Sequence, residues 1–285
     1  MKVYAFDFDG VISDSARGWA FFCRRAWIKM GNKPISLKVI EKHRPYVKNA
    51  KESFGLLVLL SQKSKITREN VKRATKQKEK SSEFVELFIK EKSSIEKSKL
   101  ARLYGPYKFM IPFLKSIGKP IYIVTNNKKE FILPTLKMYN LPINDDNIID
   151  ISLSHDKKKH ISEICRREKI LPQDIAFVED SIDHLKDVIQ TKVQAYLASW
   201  GCVLQEDIKE AQKLGVTILD KNNLEDLKKE HFDVVNDEDK VIGKAPRDEC
   251  HAKGLLHRAS HILILNSEGK ILFQKRSMEK DLYPG

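Results

Sequence analysis

Two carboxylates, Asp7 and Asp9, stand two residues apart near the start of the chain, in the sequence KVYAFDFDGVISDS. One carboxylate can act as a nucleophile, and a second one beside it can transfer protons as a general acid and base. A structural explanation is equally open, because an aspartate ahead of Gly10 can form the side-chain turn that ends a strand. The pair alone therefore leaves a catalytic site and a plain turn as alternatives.

Three later segments also end in polar residues after an apolar, β-prone run. Residues 120–124 lead into Thr125 and Asn126, residues 148–153 lead toward the lysines 157–159, and residues 175–178 lead into Glu179 and Asp180. Ligands of open α/β sheets bind at the carboxyl ends of parallel strands. If these strands are neighbours, two aspartates, a threonine, a lysine and an acidic pair meet in one crevice, which favours a catalytic site.

The elements that must position these groups follow an α/β pattern. Residues 105–230 alternate short apolar runs with amphipathic helices, which predicts crossover connections and a parallel sheet. Right-handed crossovers make this a doubly wound, Rossmann-like layer structure. Residues 15–104 show helical spacing of apolar residues and no strand pattern, so they predict an all-helical insertion after the first strand.

The order of these motifs resembles that of the haloacid dehalogenase-like hydrolase superfamily: DFDGV, a strand-end Thr125, a lysine and a strand-end acidic pair. The resemblance covers about residues 1–228 and is closest to plant and cyanobacterial members with a V-E-D motif, and the stretches HRPYV, RLYGPYKFMIPFL and YLASWG support it. It implies a catalytic core formed by residues 1–14 and 105–230. Residues 15–104 would be a helical cap over the active site.

The resemblance also implies roles for individual residues. Asp7 would be the nucleophile and Asp9 the general acid and base, with Thr125 and Lys157 completing the catalytic set. The implied substrate-binding residues are Gly10, Thr125, Asn126 and Lys157. Hard oxygen ligands without His or Cys suit Mg²⁺, and the implied metal-binding residues are Asp7, Asp9 (through its backbone carbonyl), Glu179 and Asp180. Lys158 and Lys159 remain alternatives to Lys157, and Asp183 is a further metal candidate.

These roles predict a Mg²⁺-dependent phosphatase that hydrolyses a phosphomonoester of a small metabolite through an aspartyl-phosphate intermediate. The second aspartate favours a phosphatase over a dehalogenase, because family members that cleave carbon–halogen bonds lack it. One alternative is a non-catalytic module that binds phosphate or metal. Specificity contacts would come from the cap, where His43, Arg44, Lys48 and Lys51 could face the substrate, although a solvated helix face is the more common reason for such charges.

The last 55 residues, 231–285, change character and read as short strands at 232–235, 241–244, 261–265 and 271–274, with a hairpin turn at 266–269. Especially in HRASHILIL, GKILFQKRS and LYPG, they resemble the opening of Nudix hydrolases related to isopentenyl-diphosphate isomerase. The catalytic box of that family, G-x5-E-x7-R-E-x2-E-E, is absent from the sequence, so a partial α+β domain is expected. A second alternative is therefore the phosphatase half of a bifunctional diphosphate hydrolase.

Composition sets wider limits. The chain has 285 residues, 41 % hydrophobic content and a formal net charge of +13. The charge would attract phosphorylated substrates, and it also admits nucleic acid, although no nucleic-acid-binding motif accompanies it. No apolar run approaches the roughly 20 residues that span a bilayer, and no signal segment precedes the first strand, so a cytoplasmic protein without membrane contact is expected. The four scattered cysteines indicate free thiols.

Overall fold

The computed structural model describes residues 2–229, 231–258 and 264–272. The chain divides into two compact units, Met1–Leu227 and Lys228–Gly285. Within the described residues, no helix is long and apolar enough to cross a membrane. All four cysteines are free, as predicted.

A parallel sheet forms the centre of the first unit. Its described strands, in spatial order β3-β2-β1-β4-β5-β6, are β1 (Val3–Phe6), β2 (Ile121–Val124), β3 (Ile148–Ile149), β4 (Ile175–Glu179), β5 (Gln194–Ala198) and β6 (Thr217–Leu219). Every neighbouring pair is parallel. The order changes direction at β1, which carries the first carboxylate pair at its carboxyl end.

The strands are apolar along their whole length because both faces of the sheet are covered. Tyr4 and Phe6 of β1 belong to the hydrophobic cluster on one face, and Val3 and Ala5 belong to the cluster on the other. Side chains alternate between the faces of a strand, so a strand buried on both sides reads as a continuous apolar run. The predicted doubly wound α/β fold is confirmed.

The described insertion after β1 contains only helices as regular secondary structure. They are α1 (Ala16–Lys29), α2 (Leu37–Lys42), α3 (Ala50–Ser61), α4 (Arg68–Ala74), α5 (Lys78–Ser93) and α6 (Lys97–Leu103). Trp27, Phe54 and Phe84 lie in a separate hydrophobic cluster shared by α1, α3 and α5. Asn49 and Thr67 begin α3 and α4 by accepting a backbone N–H in the first turn. The insertion therefore has its own core, as a cap requires.

The remaining helices of the first unit connect the strands. They are α7 (Met110–Ser116), α8 (Lys129–Met138), α9 (Lys157–Glu168), α10 (Ile182–Ile189) and α11 (Gln205–Lys213). Residues 129, 157 and 182 begin helices just after β2, β3 and β4 respectively. The first turns of these helices therefore stand beside the carboxyl edge of the sheet.

The strand predicted over residues 148–153 is wrong beyond its first two residues. Only Ile148 and Ile149 pair with β2. Asp150 then accepts the backbone N–H of Lys129 at 2.7 Å and that of Ser152 at 3.0 Å. A short acidic side chain that binds nearby backbone groups competes with the strand ladder, so the chain turns at this residue.

The second unit contains an antiparallel hairpin of β7 (His231–Val235) and β8 (Val241–Pro246), followed by α12 (Arg247–Lys253). These strands agree with the predicted strands at 232–235 and 241–244. Residues 261–263 and 273–274 of the other two predicted strands lie outside the described residues. In the part that is described, Leu265 and Ile271 form an antiparallel bridge, and the backbone N–H of Asn266 donates to the carbonyl of Lys270 at 3.0 Å.

Candidate active site

The candidate active site lies where three adjacent strands end. Asp7 follows β1, Thr125 follows β2, and Glu179 is the last residue of β4. Since β1 lies between β2 and β4 in a parallel sheet, the three side chains meet at one edge. All three are buried, with exposed fractions of 7 %, 1 % and 0 %. The structure thus brings together groups that are more than 50 residues apart in sequence.

Gly10 holds the loop after β1 in a shape that only glycine adopts easily. Its φ is +83°, and its N–H donates to the carbonyl of Ser13 at 2.9 Å. A Cβ atom on Gly10 would lie 2.0 Å from Oδ2 of Asp180, and one on Gly201 would lie 2.7 Å from the same oxygen. Asp180 is therefore seated between two glycines, and the backbone N–H of Cys202 donates to its Oδ2 at 2.8 Å.

Lys157 is the cation at the centre of the site. Its Nζ donates to Oδ1 of Asp7 at 2.9 Å and to the carbonyl of Val124 at 2.6 Å, and it lies 3.4 Å from Oε2 of Glu179. Asp156 caps α9 by accepting the N–H of Lys158, so that Lys157 is the first helical residue and faces the sheet.

The structure separates Lys157 from the two alternatives that the sequence left open. Lys159 is exposed and Lys158 is half-buried, and neither contacts Asp7. Asp183, the further metal candidate, does not join the acidic group either. It forms an ion pair with Lys48 of the insertion instead.

The carboxylates of Asp7, Glu179 and Asp180 each place one oxygen within 4.8 Å of the others. Burial, and then the charge of Glu179, raises the pKa of Asp7 to about 7 although Lys157 opposes the shift. Burial and the charges of Glu179 and Asp7 also raise the pKa of Asp180 well above its ordinary range. Nearby positive charge is therefore insufficient to stabilise the ionised forms of Asp7 and Asp180.

Glu179 behaves differently. Burial alone would raise its pKa, but the charges of Lys157 and His184 and hydrogen bonds to the carboxylate lower it to about 2. Its Oε1 accepts the backbone N–H groups of Asp180 and Ser181, both at 3.1 Å. Glu179 is thus a fixed negative charge that orients Lys157.

The residues fit a hard divalent cation. Three carboxylates with converging oxygens are the donor set that Mg²⁺ prefers, and two of them are destabilised as anions where they stand. A cation bound between them would offset that repulsion. Asp7, Glu179 and Asp180 are the side chains that could hold it.

Asp9 faces the end of β2. Its Oδ2 accepts the side-chain N–H of Asn127 at 3.0 Å, and the backbone N–H of Asn127 donates to Oγ1 of Thr125 at 3.1 Å. Asn126, predicted to bind substrate, has a buried Oδ1 without a hydrogen-bond partner among the described residues. The side-chain nitrogen of Asn126 lies 3.4 Å from Nε2 of His184.

A cavity of about 750 Å³ opens over these residues. Its floor is the carboxyl edge of the sheet, and its other wall is the helical insertion. Of the four cations predicted for the insertion, Arg44, Lys48 and Lys51 line this cavity, and His43 is not among the lining residues. The simple explanation of a solvated helix face is therefore wrong for Arg44, which stacks over Trp19 with 5.2 Å from Cζ to the ring centroid.

Ion pairs join the insertion to the core at the rim of the cavity. Arg68 binds Asp207 with two contacts of 2.5 and 2.6 Å, and Asp207 is only 2 % exposed. Paired N–H groups of arginine match the two oxygens of a carboxylate, which makes this geometry strong. The ion pair between Lys48 of the insertion and Asp183 of the core is a second contact between these two parts.

Sequence reasoning missed Asn127, His184 and Lys92. Asn127 directly follows two predicted residues, and His184 lies five residues after Glu179 in the first turn of α10, so their positions carried a signal. Lys92 of α5 carried none, because it is one of several lysines in that helix. Its Nζ donates to Oδ1 of Asn127 at 3.2 Å.

Comparison with known proteins identifies the first unit. The family model described as haloacid dehalogenase-like hydrolase matches residues 1–186. Among solved structures, the chain is similar to the haloacid dehalogenase-like protein SP0104 of Streptococcus pneumoniae. The TM-score is 0.57 and the identity 18 %, over 80 % of this chain and 97 % of that one. It is also similar to a predicted phosphatase from Clostridium acetobutylicum, with a TM-score of 0.55 and 16 % identity over 80 % and 96 % of the two chains. At these identities, the likeness establishes the fold.

Curated relatives match a short segment of the chain. The Nudix hydrolase YfcD of Escherichia coli is 45 % identical over 56 residues, which are 20 % of this chain and 31 % of that protein. The isopentenyl-diphosphate Delta-isomerase of Dictyostelium discoideum is 43 % identical over 65 residues, 21 % and 27 % of the two chains. The chain thus spans about a third of the length of these relatives. The predicted resemblance to Nudix hydrolases related to isopentenyl-diphosphate isomerase is confirmed for a segment of this size.

Proposed function

The chain belongs to the haloacid dehalogenase-like hydrolase family, and we propose that it is a Mg²⁺-dependent phosphatase that hydrolyses a phosphomonoester of a small metabolite. One observation carries the proposal. A buried aspartate, Asp7, faces a cavity with its carboxylate held by Lys157 at 2.9 Å. The paired ammonium keeps a reactive carboxylate available in a buried place.

Asp7 is the nucleophile in this proposal. Its carboxylate oxygen attacks phosphorus, the bond from phosphorus to the leaving oxygen breaks, and an aspartyl-phosphate forms. Water then attacks the phosphorus of this intermediate and restores the carboxylate. The contact from Lys157 orients Asp7 and offsets charge on the transferring group.

Asp9 transfers the protons. It gives one to the leaving alkoxide and later takes one from the attacking water. The hydrogen bond from Asn127 holds its carboxyl group at the edge of the cavity. This second carboxylate is the reason to propose a phosphatase and not a dehalogenase.

Thr125, the backbone amide of Asn126 and the Gly10 loop are proposed to bind the phosphoryl oxygens. The hydroxyl of Thr125 is buried at the end of β2 and accepts one N–H, so its own proton is available to a ligand. Donors fixed before the substrate arrives stabilise the developing charge without reorganisation.

The metal is proposed to bind Asp7, Asp180 and the backbone carbonyl of Asp9, with Glu179 as the third carboxylate of the group. When bound, Mg²⁺ supplies positive charge that offsets the negative charge of the phosphoryl group. The raised pKa values of Asp7 and Asp180 support this assignment, since both carboxylates gain from a nearby cation.

The test is release of inorganic phosphate from a panel of phosphomonoesters, with Mg²⁺ and with EDTA, by the wild type and by Asp7→Asn. We expect metal-dependent turnover that falls by at least ~1000-fold in Asp7→Asn, because the nucleophile is removed. Undiminished turnover in Asp7→Asn would refute the mechanism. Metal binding without turnover by the wild type would favour the non-catalytic phosphate- or metal-binding module.

The likeness to Nudix hydrolases supports a second candidate function, hydrolysis of a diphosphate bond by a Nudix domain of which this segment is a part. The two functions separate in Asp7→Asn. Diphosphate hydrolysis that is lost with this substitution would belong to the core. Hydrolysis by the Nudix domain should survive the substitution, and it is expected only in a chain that also carries the catalytic box absent from this sequence.

A further inference from the structure

Lys92 is a cation buried in the wall of the active-site cavity. It lies near the end of α5, is only 7 % exposed, and lines the cavity together with Asp9. Its Nζ lies 4.5 Å from the ring centroid of Tyr104 and 4.6 Å from that of Phe131. Two aromatic faces thus hold the ammonium in place without neutralising it.

The hydrogen bonds of Lys92 are incomplete. An ammonium has three N–H donors, and among the described residues Nζ has one acceptor, Oδ1 of Asn127. Burial lowers the pKa of Lys92 to about 8 although the charge of Asp9 opposes the shift. The neighbouring Glu91 does not compensate the charge, because it pairs with Arg25 and Lys29.

The other cations of the cavity wall show which charges are available to a ligand. Arg68 is bound to Asp207, and Lys48 is bound to Asp183. Among the described residues, no ion pair is found for Lys92, for Arg44 or for the exposed Lys51, and Nε of Arg44 is buried without any hydrogen bond. The insertion therefore presents to the cavity a buried cation, Lys92, and a half-buried one, Arg44, without an ion-pair partner, on which the carboxylate of Asp9 acts only at longer range.

The position of Lys92 indicates which part of a substrate it would meet. Asn127 donates to Asp9 and accepts from Lys92, so a single side chain separates the ammonium from the proposed proton donor. Asp9 serves the leaving oxygen. With Asp9 as the proposed donor to the leaving oxygen, these contacts place Lys92 next to the alcohol part of a bound phosphomonoester.

We propose that Lys92 is a specificity-determining residue that binds a second anionic group, a carboxylate or a phosphate, on the alcohol part of the substrate. This inference rests on the proposed phosphatase function and narrows its substrate to doubly anionic phosphomonoesters. The second anion supplies the acceptors that the ammonium lacks and returns the charge balance of the cavity wall toward neutrality.

Binding of non-hydrolysable probes tests the inference without turnover. Calorimetry with Mg²⁺ compares propylphosphonate with 3-phosphonopropionate and with propane-1,3-bisphosphonate, which add a carboxylate and a second phosphonate. The wild type is expected to bind one of the doubly anionic probes about 10- to 100-fold more tightly than propylphosphonate, the factor that a charge-assisted hydrogen bond provides. Whichever doubly anionic probe binds more tightly identifies the preferred second anion as a carboxylate or a phosphate.

Lys92→Met removes the charge and keeps an apolar stem between the two rings. It is expected to abolish the preference while leaving the affinity for propylphosphonate within about 3-fold, because the second anion then has no charged partner. The control is Lys90→Met, an exposed lysine of the same helix, which should keep the preference. A wild type without preference overturns the inference. So does a Lys92→Met variant that keeps the preference or that weakens all three probes equally, since Lys92 would then only position Asn127.

Turnover provides the second readout. Ethyl phosphate is compared with carboxymethyl phosphate and with 1,2-ethanediol bisphosphate, and Lys92→Met should lower kcat/KM about 10- to 100-fold for the preferred doubly anionic ester only. If no ester is hydrolysed but the binding preference is present and depends on Lys92, the proposed phosphatase function fails and the anion site stands. If esters are hydrolysed without such a preference, the phosphatase stands and the anion site fails.

Discussion

Replacing Lys157 by methionine tests the electrostatic centre of the site. Methionine keeps an unbranched apolar chain and removes the ammonium. Lys157 is 2 % exposed and contacts Asp7, the carbonyl of Val124 and, at 3.4 Å, Glu179. The substitution therefore leaves two buried carboxylates and one buried carbonyl without the partner that they share.

The expected loss of stability follows from these contacts. Breaking a buried ion pair by removing one partner costs about 3–5 kcal/mol of the free energy of unfolding. The unsatisfied carbonyl of Val124 costs about 1–3 kcal/mol more. Asp7 relieves part of this by taking up a proton, because its pKa is already raised to about 7 and loss of Lys157 raises it further. We expect a net loss of about 4 kcal/mol above neutral pH.

The sign of the pH dependence follows from the raised pKa of Asp7. A carboxyl group with a higher pKa in the folded state than in the unfolded state binds more protons when folded, so stability falls as pH rises between the two values. Loss of Lys157 raises the folded-state pKa of Asp7 further, so the pH range over which stability falls extends to higher pH. The destabilisation by Lys157→Met should therefore be smaller at about pH 5.5, where Asp7 is protonated, than at about pH 8.

The assay is urea unfolding of the metal-free protein at both pH values. Lys159→Met is the matched control, because Lys159 is exposed in the same helix turn, and it should change the stability by at most about 0.5 kcal/mol. The reasoning is refuted if the two variants unfold at the same urea concentration. It is also refuted if the loss in Lys157→Met is the same at both pH values.

Two further predictions concern the metal group. Gly10→Ala should abolish Mg²⁺-dependent activity, because the new Cβ would lie 2.0 Å from the carboxylate of Asp180. The control is Gly31→Ala, at a similar φ of +80° but with open space around it, which should cost only about 1 kcal/mol of stability. Equal activity of the two variants would contradict this explanation. Mg²⁺ should raise the melting temperature more at about pH 8 than at about pH 5.5, because Asp7, whose pKa is raised to about 7, is uncharged at the lower pH, and the raised pKa of Asp180 acts in the same direction. Thermal unfolding with Mg²⁺ and with EDTA measures the shift, and an equal shift at both pH values would speak against the acidic group as the metal site.

Much of the site could be predicted from the sequence because strand order and strand direction are strongly constrained. Runs of four or five apolar residues separated by helices must form a parallel sheet, and parallel strands must end at the same edge. Asp7, Thr125 and Glu179 could therefore be grouped before any distance was known. The error at residues 148–153 has the opposite origin: an apolar run gives no sign that Asp150 will take backbone N–H groups and turn the chain.

The α/β fold, the helical insertion and the strand-end residues of the candidate site could be predicted from the sequence alone, because each depends on local spacing and on which residues are apolar. Which lysines enter the candidate site depends on tertiary packing. Lys157 faces Asp7 because capping by Asp156 sets the phase of α9 against the sheet. Lys92 enters the cavity because α5 packs against α1 and α3, which places its ammonium over the rings of Tyr104 and Phe131. A lysine side chain is long, polar and common on surfaces, so its burial is set by what packs around it and leaves no pattern in its own segment.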